Sequence, residues 1–551
     1  MRLSKRSGYV FPVLFMVLVF QLITCTQVGA SQVQEPWSVL LITVDNLRPD
    51  RMSLYGHDKS TTPYLTRFAK ESAVFEKAFS TSAWTAPGIV SLVTGYYPPV
   101  HAQNGRFSFY DKEMTAALRV LAEKGYEIFG EAIRGPSHQG FGFEKSLGKL
   151  PDRLESFIES RKNIKTPFFA WAHLRGVHLP YSPSELQAKR FGAASRTSKG
   201  IEAVRKHRVI LRYPERVNVA FEHAGKVTFS PEDVSIIKSL YDGEVADVDS
   251  RLRQFLERMR ETGLLDRTIV IITADHGEEL FDHGWIGHAS TAYDGKLYDE
   301  LIHIPLIIRL PDTSLTGRYD SLVQGVDIMP TLFDILGIEA EGMKPVMQGV
   351  SLLPILKGEQ ESIRSYVFTQ TTLKGWNTPR DEIKTRVTSV RSATHKLIWF
   401  PTVQGTRIEG YDLREDPDEL KNIYLDDPSQ FAALEEAYLE WSENNRSVAA
   451  QLVLGGAEAR VHNIASAVFE KDGLHLAIKE WLAIQTMEET WGLEPDVFYR
   501  HETYVEKWQK VQRLSADMIG RAMMCRAQAG TLRRPNAAPI HRVDLWTCDS
   551  Q

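Results

Sequence analysis

The sequence predicts an α/β fold on a mostly parallel sheet, followed by a smaller α+β region and a helical tail. Apolar, β-branched runs at 39–44, 168–171, 268–274 and 304–308 alternate with stretches of helical spacing. Runs without polar alternation read as strands buried on both faces, as in parallel sheets. Strand and helix in alternation is the pattern of a sheet covered by helices.

The first strand, Val39-Leu40-Leu41-Ile42-Thr43-Val44, ends abruptly in Asp45-Asn46. A matching run, Thr268-Ile269-Val270-Ile271-Ile272-Thr273-Ala274, ends in Asp275-His276. Ligands of open α/β sheets gather beyond the carboxyl ends of the strands, so these four residues are expected to meet. Two carboxylates, an amide oxygen and an imidazole nitrogen would hold a divalent cation. For either run alone, an Asp that caps a following helix is the alternative. The stretch 234–260 has helical spacing and leads into the second run. The segment 187–226, basic, polar and glycine-containing, is expected to be a surface insertion.

From about Gly349 the pattern changes. Stretches 366–369, 388–391 and 396–400 read as short strands and 426–444 as a helix, giving a small sheet with a covering helix. In the last hundred residues, Leu474, Ala477, Ile478, Trp481, Leu482 and Gln485 follow helical spacing, as do Tyr504, Trp508, Val511 and Met518. This aromatic-rich tail reads as packing surface, through which the chain can also oligomerise. The expected division is a signal peptide at 1–30, an α/β catalytic domain at 36–345, a small α+β domain at 346–447 and a helical tail at 448–551.

At 551 residues the chain is long enough for two or three domains. With 43% hydrophobic and 25% charged residues its composition is globular. A net charge of −5 without a long basic run argues against nucleic acid or an anionic membrane surface as partner. Arg2, Lys5 and Arg6, the apolar stretch 10–23 and Val28-Gly29-Ala30 form the pattern of a cleaved signal peptide. The apolar stretch is shorter than the ~20 residues of a spanning helix. Export to the periplasm or outside the cell is expected, with the mature chain starting near Ser31 and no membrane span after cleavage. An uncleaved anchor, or lipidation at Cys25, is the alternative. Cys525 and Cys548 would then remain, either paired in an oxidising compartment or as two thiols. No CxxC or Cys/His cluster is present, which argues against a zinc-finger site.

In order along the chain, the segments resemble the sulfatase family of the alkaline phosphatase superfamily. The segments are Thr43-Val44-Asp45-Asn46-Leu47-Arg48-Pro49-Asp50, Thr62-Pro63-Tyr64-Leu65, Ala86-Pro87 through Leu92-Val93-Thr94-Gly95, and His178-Leu179-Pro180-Tyr181. Tyr241-Asp242-Gly243-Glu244, Thr273-Ala274-Asp275-His276-Gly277-Glu278, Gly349-Val350-Ser351-Leu352-Leu353-Pro354 and Tyr411-Asp412-Leu413-Arg414 follow. The resemblance covers roughly 38–445 and implies a sulfatase-like α/β sandwich with one divalent cation, Ca²⁺ by family habit. The imidazole of His276 suits Mn²⁺ or Zn²⁺ as well, and the ligands of a second zinc are not evident.

The chain departs from the family where the nucleophile belongs. That segment reads Cys-x-Pro-x-Arg, or Ser for Cys, and its first residue is oxidised to formylglycine. Here it reads Thr85-Ala86-Pro87-Gly88-Ile89, so formylglycine is not expected and Ile89 stands for the Arg. Thr85 resembles the Thr nucleophile of superfamily members that transfer phosphoglycerol or cleave phosphodiesters; a helix N-cap is the alternative. The resemblance implies a substrate-contacting lysine at Lys296 and a donor to the leaving group at His178. His283 and His288 read as surface-loop histidines. The family's Gly-Lys-Trp-His stretch is replaced by Gly130-Glu131-Ala132-Ile133-Arg134, with Arg134 or His138 as the replacement cation. The implied function is metal-dependent hydrolysis of a sulfate or phosphate ester, on a small molecule or a glycan- or lipid-linked substrate. A Thr-nucleophile phosphotransferase or phosphodiesterase, and a non-catalytic binding protein that keeps the fold, are the alternatives.

Overall fold

The computed structural model describes residues 36–102, 116–130, 145–146, 152–193, 230–288, 295–339, 346–375, 378, 385–402, 405–467 and 513. The expected signal peptide, the three cysteines, Arg134, His138, most of the 187–226 segment and the named tail positions, Leu474 to Gln485 and Tyr504 to Val511 with Met518, lie outside them.

Among the described residues, ten strands build the first part: β1 Ser38–Val44, β2 Ala73–Phe79, β3 Glu127–Gly130, β4 Lys145–Ser146, β5 Phe168–Leu174, β6 Thr268–Ala274, β7 Glu279–Leu280, β8 Ile286–Gly287, β9 His303–Arg309 and β10 Gly317–Gln324. Eight of them form one sheet in the order β10-β2-β9-β6-β1-β5-β3-β4. β1 lies parallel between β5 and β6, and all of its residues are buried. Its sequence needs no polar alternation because neither face meets water. β9 pairs antiparallel with both β6 and β2, the one reversal in an otherwise parallel set. Its apolar run announces burial, not direction. The sequence reading missed β2 and β10, which carry Glu76, Lys77, Arg318 and Asp320 among their apolar residues.

The long helix Pro231–Glu261 opens on a capping box between Ser230 and Asp233 with Pro231 in its first turn, which satisfies its first backbone N–H groups. Its inward positions, among them Leu240, Tyr241, Val245, Val248 and Leu252, are buried.

β11 Val367–Thr372, β12 Arg386–Arg391, β13 His395–Thr402 and β14 Gly405–Asp412 form a separate antiparallel sheet in that order. Phe431, Leu434 and Ala437 pack onto its Val390 and Leu397. Gly410 is required there, because a Cβ would lie 2.7 Å from the Phe431 ring. The covering helix runs over Ala432–Ala467, later than the expected 426–444, because Pro428–Phe431 forms a 3₁₀ turn capped by Asp427. It passes unbroken through the expected 447/448 division. β11 also holds the loop ahead of Thr85: Gln370 N–H donates to Thr81 O at 2.9 Å and the Thr369 hydroxyl to Ser80 O at 3.0 Å.

Candidate active site

Register brings the two strand ends together. Val44 pairs with Ala274 on one side and with Leu174 on the other, so Asp45 and Asp275 leave adjacent strands at one level. Asn46 then takes a left-handed conformation, φ 65°, which Asn tolerates better than most residues. Tyr241 braces this turn: its hydroxyl donates to Asn46 O at 2.6 Å and accepts from Arg48 N–H at 3.0 Å. Asp275 Oδ1 accepts the backbone N–H groups of Asn46 at 3.1 Å and His276 at 3.0 Å. Gly277 allows the chain to pass Glu300, whose carbonyl oxygen would sit 2.0 Å from a Cβ there.

Asp45, Asp275 and His276 each turn one ligand atom inward, and the three atoms lie within 4.8 Å of one another. His276 Nδ1 donates to Gly277 O at 2.7 Å, which leaves Nε2 with a lone pair facing the carboxylates. Asn46 Oδ1 and Asp275 Oδ2 are buried without a hydrogen-bond partner. Buried oxygens in that state are costly unless something fills their lone pairs. Two carboxylates, an amide oxygen and an imidazole suit a divalent cation.

Burial works to raise the Asp45 pKa, but His178 and His173 more than offset it and hold this carboxyl well below the usual range. Burial raises Asp275, against the pull of His276. Burial lowers His276 and His178.

Thr85 opens the helix Thr85–Thr94 and faces this cluster. Its hydroxyl lies 3.4 Å from both Asp45 Oδ1 and His276 Nε2. The N-cap position is Trp84, and the contacts of the Thr85 hydroxyl run to Asp45 and His276. Gly88 makes this approach possible, since a Cβ on it would lie 2.5 Å from the Asp275 carbonyl oxygen. Ile89, at the family's arginine position, is buried in the core.

Of the remaining expected residues, His178 lies beside the cluster. Its Nδ1 is 2.7 Å from Leu179 O and its ring 5.1 Å from that of His288. Lys296 lies 3.5 Å from Glu279 Oε2 and 4.3 Å from the centroid of the Trp285 ring. The surface-loop reading of two histidines is corrected. His283 bonds Glu300 at 2.6 Å and stacks on Tyr298 at 3.7 Å. His288 is 2% exposed, with its ring 4.6 Å from that of His276 and Nδ1 2.8 Å from Glu278 Oε1.

The sequence reading also gave no role to His173, Glu278 or Tyr241. His173 Nδ1 bonds the Thr43 hydroxyl at 2.9 Å, and Nε2 lies 3.7 Å from Asp45 Oδ2. A polar residue near the end of a recognised buried strand was the available signal. Glu278 and Tyr241 stood inside quoted motifs, where spacing says nothing of what a side chain touches.

Comparison with known proteins agrees with this fold. The family model described as Sulfatase matches residues 38–151 and 132–338. The one described as N-sulphoglucosamine sulphohydrolase, C-terminal, matches 284–440. An N-acetylglucosamine-6-O-sulfatase of Bacteroides thetaiotaomicron is 22% identical over 489 residues, covering 73% of this chain and 85% of its own. Arylsulfatase K of Bos taurus is 29% identical over 453 residues, covering 72% and 80%. The solved phosphonate monoester hydrolase of Agrobacterium radiobacter shares the fold, with a TM-score of 0.58 at 22% identity over 75% of this chain and 96% of that one. No helix among the described residues is long and apolar enough to cross a membrane. With the family's own model matched over most of its α/β part and the strand-end cluster in place, the chain belongs to the sulfatase family of ester hydrolases.

Proposed function

We propose that this protein is a metal-dependent hydrolase of sulfate or phosphate-type esters in which Thr85 is the nucleophile. The observation that carries the reading is the Thr85 hydroxyl, 3.4 Å from Asp45 Oδ1 and His276 Nε2 at a helix N-terminus. A divalent cation held by Asp45, Asn46, Asp275 and His276 would lower the pKa of that hydroxyl. Family habit favours Ca²⁺, and the imidazole admits Mn²⁺ or Zn²⁺.

Thr85 Oγ passes its proton to Asp45 Oδ1, 3.4 Å away, while Asp45 Oδ2 and His276 Nε2 keep their lone pairs for the cation, and bonds to the phosphorus or sulfur of the ester. The ester oxygen leaves with the bonding pair and takes a proton from Nε2 of His178, which enters this step as the imidazolium with Nδ1–H donated to Leu179 O; burial opposes that form and the Asp45 and Glu278 charges favour it. The backbone N–H groups opening the Thr85–Thr94 helix favour the negative oxygens of the group in transfer. Water then gives a proton back to His178 Nε2, bonds to the phosphorus or sulfur and displaces Thr85 Oγ, which takes back its proton from Asp45. If an alcohol takes the place of water, the same site transfers the group, which is the phosphotransferase reading.

Phosphorus esters should outrun sulfate esters, because the hydrated aldehyde that suits sulfate release is absent. The names of the relatives point to glycan-linked esters as the first substrates to try. A panel of chromogenic sulfate, phosphomonoester, phosphodiester and phosphonate substrates, run with Ca²⁺, Mn²⁺ and Zn²⁺ in turn, tests the reading. A robust preference for sulfate esters would overturn the ranking. No turnover of any of them would favour the binding-protein alternative. The charged start and short apolar stretch support export, and N-terminal sequencing of the mature protein should begin near Ser31.

A further inference from the structure

Asn46 stands where an acidic side chain would present two equal oxygens. An amide has unlike ends, and only its oxygen can face a cation. Turned the other way, it would aim two N–H groups at the positive charge. Something must therefore decide which end points inward.

The structure points to Glu278. Asn46 Nδ2 donates to Glu278 Oε2 at 2.6 Å and lies 3.1 Å from His288 Nδ1, whose own proton goes to Glu278, while Oδ1 is left buried and without a partner. Glu278 is itself held from three sides. His288 Nδ1 lies 2.8 Å from its other oxygen, Arg48 donates to its carbonyl at 2.9 Å, and its N–H donates to Glu300 O at 3.1 Å. It is fully buried and does not belong to the close ligand group of Asp45, Asp275 and His276.

We infer that Glu278 is a positioning residue that fixes the Asn46 amide with its oxygen toward the cation, with His288 holding the Glu278 carboxylate in place. This rests on the metal reading of the site. An Asn in the ligand set then depends on a carboxylate behind it, a requirement that an Asp at position 46 would not have.

The test is calorimetric titration of the metal-free full chain with CaCl₂ and with MnCl₂, with circular dichroism to establish that each variant is folded. Glu278→Gln keeps the shape but offers Asn46 an amide that can itself turn over. Glu278→Asp keeps the charge but withdraws it by one methylene. Both should weaken cation binding by about 10–100-fold, the usual effect of losing a partner behind a ligand. The double variant Asn46→Asp with Glu278→Gln should return to within about threefold of the parent, because a carboxylate needs no orienting. Should one single variant not fold, the other carries the same expectation. Unchanged affinity in a folded Glu278→Asp variant would show that charge alone matters and overturn the positioning role, as would a double variant as weak as Glu278→Gln. Failure of the parent chain to bind either cation would bring down the metal reading together with this one. Tight binding by parent and single variants alike would bring down this one only.

Discussion

At the scale of single residues, the site was legible wherever a chemically unusual side chain ended an apolar run. Asp45, Asn46, Asp275 and His276 were found in this way, because a buried strand has no packing use for them. The bracing residues were not legible. Nothing in the spacing of Tyr241 says that its hydroxyl serves both Asn46 O and Arg48 N–H. Tyr241→Phe would leave both groups buried and unpaired. A destabilisation of about 1–3 kcal/mol is expected, read as a lower denaturant midpoint with an unchanged slope, together with weaker cation binding as the Asn46 turn relaxes. An unchanged midpoint would show that the turn holds itself.

At the scale of elements, the sequence located strands by their apolar runs and missed β2 and β10, whose charged residues interrupt those runs. β9 was located without its reversed direction, because direction is settled by neighbours across the sheet. The helix Thr85–Thr94 depends on contact with the end of β6, which Gly88 permits. Gly88→Ala should cost about 1–3 kcal/mol through overpacking and should draw Thr85 away from the cluster, so turnover should fall more than stability. The loop after β6 carries a pH-dependent element. Burial acts to lower the His283 pKa, but the Glu300 bond and charge more than offset this and raise it to about 8. A histidine whose folded pKa exceeds its unfolded value near 6.5 stabilises fully below about pH 6.5, and that contribution is lost as pH rises through about 8. Thermal melts should therefore show a stability loss across pH 6.5–8 that is absent in His283→Gln. Identical pH profiles would remove His283 from the account.

At the scale of the whole molecule, strand–helix alternation revealed the fold class, whereas the fastening between the two sheets was invisible in sequence. It consists of backbone bonds such as Gln370 N–H to Thr81 O, and of Lys396, fully buried between Asp299 and Glu419 at 2.8 and 2.7 Å. On the proposed reading, a cation between two buried carboxylates at the junction of β1 and β6 would be part of the fold's stability. Chelation should lower the melting temperature, and restoring a cation to about 100 times its Kd should return about 2.7 kcal/mol. A melting temperature indifferent to chelator would count against the site. The most direct measurement is turnover of the ester panel by Thr85→Ala, with cation affinity measured on the same sample. The expected result is a loss of at least about 10³-fold in kcat with cation binding and melting temperature nearly those of the parent. Turnover by Thr85→Ala within a few-fold of the parent would contradict the assignment of Thr85 as nucleophile.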